Sequence, residues 1–338
     1  MKKIICLIVM IVIAGSAGAA NIYWDGGGGD TDWLTPANWN GDVLPTSADE
    51  PRLIITATAT ISSDVLVNYD NRIYILNANA VINHTGGSLG NASASYTLEL
   101  RRGTYNLNGG TIAINGDINL RFGGNSTFNL NSGSLTPQSG KDIYLGVNGA
   151  NDTVKKMKIS GGTVAVSGDG DITLNGETGT RTGCSQILEI IGNTATISIG
   201  DDFLLGSTGA DIAPELNFEF AAGGITLIDV GDNFTITKGG APTAAKLSVD
   251  VVDLGSVPQT TYDLIQYGGD QLGEFGSTNV TDSAGAMTPG VWDSLGHHEY
   301  AISYGDGSDD IVQLQVNTTP EPGIFGLLGL ALLFLRRK

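Results

Sequence analysis

The stretch Asn106-Leu107-Asn108-Gly109-Gly110-Thr111 decides the fold, because it returns 23 residues later as Asn129-Leu130-Asn131-Ser132-Gly133-Ser134. A variant follows as Lys158-Ile159-Ser160-Gly161-Gly162-Thr163. In each copy apolar and polar residues alternate up to a glycine turn, and β-branched residues follow the turn. This alternation is typical of short β-strands, and glycine supplies the positive φ that sharp corners need. Asparagines at the same position of successive copies are also predicted to stack in ladders.

Other segments of the chain repeat the same unit. Residues 163–166 are echoed by residues 196–199 and 225–228, and Gly-Asp turns precede a further strand near residues 116, 170, 200 and 231. Imperfect repeats of roughly 20 to 35 residues predict an all-β fold, a right-handed parallel β-helix, and we place its repeats at residues 54–250. The alternative is a β-sandwich, which would show more regular hairpin turns.

Composition narrows the possible partners. The 338 residues include 35 acids and 17 bases, so the formal net charge is −18, and the 49 glycines are about twice the share in an average protein. An acidic surface repels phosphate, so no nucleic-acid partner is expected. Hydrophobic residues make up 41% of the chain, which is enough apolar surface to favour folding over disorder.

The beginning of the chain has the pattern of a secretory signal peptide over residues 1–20. Lys2 and Lys3 precede the apolar run 4–13, and small residues follow up to the expected cleavage site at Ala19 or Ala20. The alternative is an N-terminal membrane anchor, but the apolar run is shorter than the roughly 20 residues that a spanning helix needs. Cleavage would leave Cys184 as the single thiol, so no intramolecular disulfide is expected.

The end of the chain, residues 319–338, has three parts in a fixed order. They are Pro320-Glu321-Pro322, the apolar segment 323–335 and the basic cluster Arg336-Arg337-Lys338. This end resembles the PEP-CTERM sorting signal of Gram-negative bacteria, which a membrane protease-transpeptidase called exosortase recognises and cuts. The resemblance implies a short transmembrane sorting segment, transient anchoring in the inner membrane, and processing by an exosortase-like protease after signal peptidase has acted. An ordinary tail anchor is the alternative, although thirteen apolar residues span only about 20 Å as a helix, against a ~30 Å hydrocarbon core.

Two flanking regions differ from the repeats. Residues 21–53 form a Trp- and Gly-rich segment that contains Trp24, Trp33 and Trp39, and residues 251–318 hold longer predicted strands. The Trp-Asp-Gly-Gly-Gly opening followed by Asn-Trp resembles secreted proteins with autotransporter-associated β-strand repeats, which implies a passenger-like surface domain. We expect the tryptophans to cap the open end of the first coil, with a glycan-stacking platform as the alternative.

The acidic residues offer the remaining chemistry. Secreted β-helices include polysaccharide lyases and hydrolases that use paired carboxylates, but the closest pairs here recur at corners, where Asp normally caps its own turn. No catalytic residue is therefore predicted. Structural calcium is an alternative to plain solvated turns, because hard cations need closely spaced oxygen ligands. The candidate ligands are Asp169, Asp171, Asp306, Asp309 and Asp310.

Histidine and cysteine give no further site. His297 and His298 are sequence neighbours just before a predicted strand, where adjacent side chains point to opposite faces, and neither has zinc-ligand spacing with His84. Cys184 has no histidine nearby in the sequence.

Together these features predict an exported, non-enzymatic surface or extracellular-matrix protein with a structural or adhesive role. The resemblance to the sorting class implies association with exopolysaccharide and a final location at the cell surface or outside the cell. The competing hypothesis is a secreted polysaccharide lyase or glycoside hydrolase on the same fold.

Overall fold

The computed structural model describes residues 20–65, 72–90, 97–149, 152–176, 183–207, 214–238, 245–292, 294–305 and 310–319. The predicted signal peptide, apart from Ala20, and the predicted sorting signal, apart from Thr319, lie outside these residues. The fold is nearly all-β, with two 3-10 helices, Pro36–Asn38 and Val252–Leu254. Within the ranges given above, no helix is long and apolar enough to cross a membrane.

The first sheet contains ten strands, and each pairs in parallel with the next one in the stack. Its strands are β1 (Ala20–Tyr23), β2 (Asp49–Leu53), β4 (Arg72–Ile75), β7 (Thr97–Leu100), β9 (Ile118–Gly123), β11 (Ile143–Gly149), β14 (Ile172–Gly176), β17 (Phe203–Ser207), β20 (Phe234–Lys238) and β23 (Gln271–Leu272).

The second sheet is nearly closed and consists of two parallel rows that share two long strands, followed by shorter and antiparallel strands near the end of the chain. The shared strands are β8 (Gly103–Ile112) and β10 (Ser126–Leu135). One row contains β3 (Thr58–Ile61), β5 (Val81–His84), β12 (Val154–Ile159), β15 (Ser185–Ile191), β18 (Pro214–Glu219), β21 (Lys246–Asp250) and β24 (Ser277–Asp282). The other contains β6 (Ser88–Leu89), β13 (Gly162–Val166), β16 (Ala195–Ile199), β19 (Ile228–Val230) and β22 (Thr260–Tyr267). The remaining strands are β25 (Gly285–Ala286), β26 (Thr288–Pro289), β27 (Glu299–Ser303) and β28 (Ile311–Asn317).

Glycines make the corner between these two rows. Gly110 and Gly133 have φ values of 75° and 89°. A Cβ on Gly133 would lie 2.5 Å from the carbonyl oxygen of Gly110 in the coil before, and a Cβ on Gly162 would lie 2.5 Å from the oxygen of Gly133. The repeated glycines are therefore required both by the backbone conformation and by the close stacking of one coil on the next.

Alternate strand residues form columns inside the stack. In the first sheet, the register aligns Ile118 with Ile143, Ile172, Phe203 and Phe234, and all five side chains are buried. Each such side chain contributes about 1.5–3 kcal/mol by leaving water, so the columns supply much of the stability of the stack.

Asparagines form a second kind of column, the asparagine ladder, at Asn83, Asn106 and Asn129. Asn106 Nδ2 donates to Asn83 Oδ1 at 2.8 Å, and Asn129 Nδ2 donates to Asn106 Oδ1 at 2.7 Å, each across 23 residues. This confirms the prediction of stacked asparagines. It also identifies the 23-residue sequence repeat with one step of the stack.

The parallel pairing is compatible with the predicted β-helix and contradicts the β-sandwich alternative, whose sheets are antiparallel. The parallel stack extends beyond the predicted repeats at residues 54–250. On one side β1 and β2 already belong to the first sheet, and on the other β22, β23 and β24 continue the parallel rows. Antiparallel pairing appears in the C-terminal region, where β28 lies between β22 and β27.

Candidate functional site

The three tryptophans form one buried cluster. Trp24, Trp33 and Trp39 are 1%, 1% and 0% exposed, and their ring centroids lie 4.8 to 6.3 Å apart. Trp39 Nε1 donates to the carbonyl oxygen of Trp33 at 2.9 Å, and the Trp33 amide donates to Thr60 O in β3 at 2.9 Å. No ring face of these three residues is open to a sugar, so the glycan-stacking alternative is wrong. Their place, against the first strands of both sheets, is the one that a cap needs.

A polar network holds the loop that carries the tryptophans. Asp30 accepts hydrogen bonds from Asn38 Nδ2 at 2.7 Å, from the Asp32 amide at 2.9 Å and from Thr35 Oγ1 at 3.0 Å. These bonds, with that from Asn38 the strongest, lower the pKa of Asp30. Gly28 donates to Asn38 Oδ1, and a Cβ there would lie 2.8 Å from that oxygen, which explains one glycine of the opening segment.

Acidic residues form a column along one corner of the stack, which we call the aspartate ladder. Each side chain except that of the last member, Asp270, accepts a hydrogen bond at its Oδ1 from the backbone amide of the equivalent residue one coil later, at 2.9 to 3.3 Å. The members lie just before successive strands of the first sheet and are Asp117, Asp142, Asp171, Asp202, Asn233 and Asp270.

The aspartate ladder brings like charges together. Burial raises the pKa of Asp171, and the neighbouring Asp142, Asp201 and Asp202 raise it further. The pKa of Asp201 is raised by the same causes, desolvation first and then Asp202 and its other acidic neighbours. Tyr144 donates its hydroxyl proton to Asp142 Oδ2 at 2.5 Å, and burial followed by that carboxylate raises the pKa of Tyr144.

The structure does not bring the described members of the predicted calcium ligands together in one cluster. Asp169 and Asp310 are exposed, and Asp171 Oδ1 accepts the Asp202 amide, while Asp306 and Asp309 lie outside the described residues. Among the described residues, a group of three acids with ligand oxygens within 4.8 Å of one another consists of Asp201, Asp202 and Asp232. They follow the two Gly-Asp turns at residues 200 and 231, so a search for acids one repeat apart would have found them. Structural calcium stays a prediction.

A polar groove of about 200 Å³ crosses the outer face of the second sheet at β15, β18, β21 and β24. Its carboxylates belong to Glu189, Glu219 and Asp250. Glu189 pairs with Lys156 at 2.9 Å, and Asp250 accepts the Val252 amide at 2.9 Å. Two of the three carboxylates therefore already make contacts within the protein. No pair of carboxylates in this groove is assigned as a general acid and a general base.

His84, His298 and Cys184 make contacts within the fold, whereas His297 is exposed. His84 is fully buried, its Nδ1 lies 3.0 Å from the Tyr105 hydroxyl, and burial lowers its pKa. His298 lies between Asp282 and the carbonyl oxygen of Ala286, at 3.0 Å from each. Cys184 is buried and accepts a hydrogen bond from Thr153 Oγ1 at 3.5 Å.

Lys155 is a buried cation that the sequence did not lead us to expect. Its fully buried Nζ donates to the carbonyl oxygens of Arg101, Phe122 and Gly124 at 3.1, 2.7 and 2.6 Å, and lies 3.1 Å from Ser126 Oγ. Burial lowers its pKa to about 7. The signal was available, because alternation along β12 places Lys155 on the same side as the buried Met157 and Ile159.

Comparisons with known proteins add no relative to this description. No family model matches the chain, and neither a curated protein nor a solved structure matches it significantly.

Proposed function

We propose that this chain is a parallel β-helix that acts outside the cell as a structural or adhesive protein rather than as an enzyme. The observation that carries the proposal is the aspartate ladder. The acids that recur from coil to coil accept backbone amides of the next coil, as residues that hold a rod together would do. The buried columns and the asparagine ladder support the same function, because they tie successive coils at several points of each repeat.

The chain ends support export and sorting. We propose that signal peptidase cleaves near Ala19 or Ala20, and that an exosortase-like protease processes the tail that begins with Pro320-Glu321-Pro322. The support is the order of proline motif, apolar run and basic cluster in residues 319–338. The mature protein would then reach the cell surface or the extracellular matrix, where exopolysaccharide is the expected partner.

Incubation of the mature protein with acidic and neutral polysaccharides tests the non-enzymatic role. Retention on a polysaccharide without new reducing ends or unsaturated products is the expected result. Release of either product would overturn the proposal and favour the lyase or hydrolase alternative.

Mass spectrometry of the protein from its own cells tests the sorting proposal. The expected mature form begins at residue 20 or 21 and lacks Lys338. A mature form with Lys338 intact would reject processing at the tail.

A further inference from the structure

Arginines gather on the outer face of the first sheet, although the protein as a whole is strongly acidic. Four of the eight arginines lie on or beside neighbouring strands of this face, together with three aromatic rings. We call this surface the arginine strip, and its members are Arg52, Arg72, Arg101, Arg121, Tyr74, Phe122 and Tyr144.

The guanidinium groups of the arginine strip lie over the rings. Tyr74 has the Cζ atoms of Arg52 and Arg101 at 4.8 and 4.9 Å from its ring centroid, and that of Arg72 at 5.9 Å. Register explains the arrangement, since Arg52 of β2 aligns with Tyr74 of β4. The rings therefore hold the planar cations in place from strand to strand.

The same contact continues further along the sheet. Arg121 lies 5.9 Å from the Phe122 ring and 5.4 Å from the Tyr144 ring, and Arg101 lies 5.5 Å from Phe122. The arginine strip thus extends from β2 to β11.

Two buried acidic residues pair with the first three arginines of the strip. Glu99 is 1% exposed and pairs with both Arg72, at 3.0 Å, and Arg101, at 2.5 Å, while Glu50 pairs with Arg52 at 2.5 Å. Among these residues, two carboxylates thus pair with three guanidinium groups. The side chains of Arg52, Arg72 and Arg101 remain 24%, 39% and 37% exposed, so part of each guanidinium is available to a ligand.

The register position of Tyr144 carries no charge in the later strands of this sheet. Beyond Tyr144 the register continues through Thr173, Leu204, Thr235 and Leu272, none of which carries a charge. The concentration of cations is therefore a local property of the first coils and does not follow from the repeat.

We propose that the arginine strip binds an acidic polysaccharide of the polyuronate class. This inference rests on the proposed extracellular function. Guanidinium groups bind carboxylates through paired hydrogen bonds, and stacking on aromatic rings fixes their planes in advance. Parallel strands place these groups at steps of about 4.8 Å, which suits a polymer whose carboxylates recur along its length. Repulsion from the acidic remainder of the protein confines such a polymer to the arginine strip.

Binding of the mature protein to immobilised polygalacturonate tests this inference. Arg52→Gln and Arg121→Gln lie near opposite ends of the strip, and each is expected to weaken binding about tenfold, with the affinity falling as salt is raised. Arg121→Lys keeps the charge but loses the planar group, so it is expected to weaken binding nearly as much as Arg121→Gln. Lys246→Gln, at an exposed lysine on β21 of the second sheet, is the matched control and is expected to bind like the wild type.

Several results would overturn the inference. Wild-type affinity in both arginine variants, or an equal loss in Lys246→Gln, would show that the arginine strip is not the site. Tighter binding to duplex DNA than to polygalacturonate would assign the strip to nucleic acid, and strip-dependent dimers in sedimentation would assign it to a second copy. Thermal melting of each variant separates lost binding from lost folding.

The inference and the proposed function fail in different ways. Cleavage of polygalacturonate would reject the non-enzymatic role while leaving an arginine-dependent affinity intact. Binding that is insensitive to Arg52 and Arg121, without cleavage, would reject the arginine strip and leave the structural role standing.

Discussion

The asparagine ladder and the aspartate ladder solve the same stacking problem with different chemistry. An amide both donates and accepts, so Asn106 donates to Asn83 and accepts from Asn129 without help from the backbone. An ionised carboxylate only accepts, so Asp171 and Asp202 depend on backbone amides of the next coil. The comparison shows that the asparagine ladder is neutral and needs no backbone partner, whereas the aspartate ladder brings like charges together. The pKa of Asp171 is raised first by burial and then by its acidic neighbours.

The largest effect on stability is expected from placing a charge in the asparagine ladder. Asn106→Asp removes the donor to Asn83 Oδ1 and sets a carboxylate against that oxygen, so the free energy of unfolding should fall by about 2 kcal/mol at neutral pH. Part of the loss should return on acidification, because a protonated Asp donates again. Urea denaturation at two pH values measures both effects.

The control for Asn106→Asp is Asn131→Asp, in the exposed asparagine pair with Asn108. Solvent screens the new charge there, so its loss should be under about 1 kcal/mol. Equal losses in the two variants would show that the half-buried position of Asn106 does not matter.

The second largest effect on stability is expected from removing one hydrogen-bond acceptor of the aspartate ladder. Asp202→Ala leaves the Asn233 amide and Nδ2 without the oxygen that they contact at 3.1 and 2.9 Å, so unfolding should become easier by about 1–1.5 kcal/mol. Asp202→Asn keeps the oxygen and should lose much less. A similar loss in both variants would indicate that charge, and not the acceptor, holds this corner.

A smaller effect, in the opposite direction, is expected from Asp171→Asn, which should stabilise the protein by about 0.5 kcal/mol at neutral pH because it removes repulsion and keeps an acceptor. Asn233 occupies the same ladder position two coils later. The folded Asp171 carboxyl holds its proton more tightly than the unfolded one, so the stability of the wild type falls as pH rises from 3.8 through the raised pKa. The variant should lack this slope. Denaturation curves from about pH 3 to pH 7 would show it, and an identical slope in both proteins would contradict the assignment.

The smallest expected effect is that of calcium on the group formed by Asp201, Asp202 and Asp232, at and beside the aspartate ladder. Calcium, but not magnesium, should raise the melting temperature by about 2 °C through the carboxylates near Asp201, because binding to the folded state stabilises it. Asp201→Asn should abolish the rise, and Asp253→Asn, at the exposed second 3-10 helix, should retain it. A rise that survives Asp201→Asn would move calcium elsewhere, and no rise at all would reject it.

The sequence predicted what depends on neighbours in the chain. Alternation and glycine turns located strands of the repeats, and the longer strands predicted in residues 251–318 include β22 and β28. Side chains that meet only through the stacking register were missed, because Arg52 and Tyr74 are far apart in sequence. The same reason explains why neighbouring acids 169 and 171 were chosen as ligands, whereas the structure brings Asp232 to Asp201 from the next coil.

Lys155 also connects parts of the stack that lie far apart in the chain. The carbonyl groups of Arg101, Phe122 and Gly124 belong to earlier turns of the chain, and the ammonium that binds them arrives as many as 54 residues later. Buried carbonyls without a donor are costly, so the coils before β12 gain their full stability only when that strand is added. We therefore expect an N-terminal fragment that ends before β12 to be less stable than one that includes Lys155.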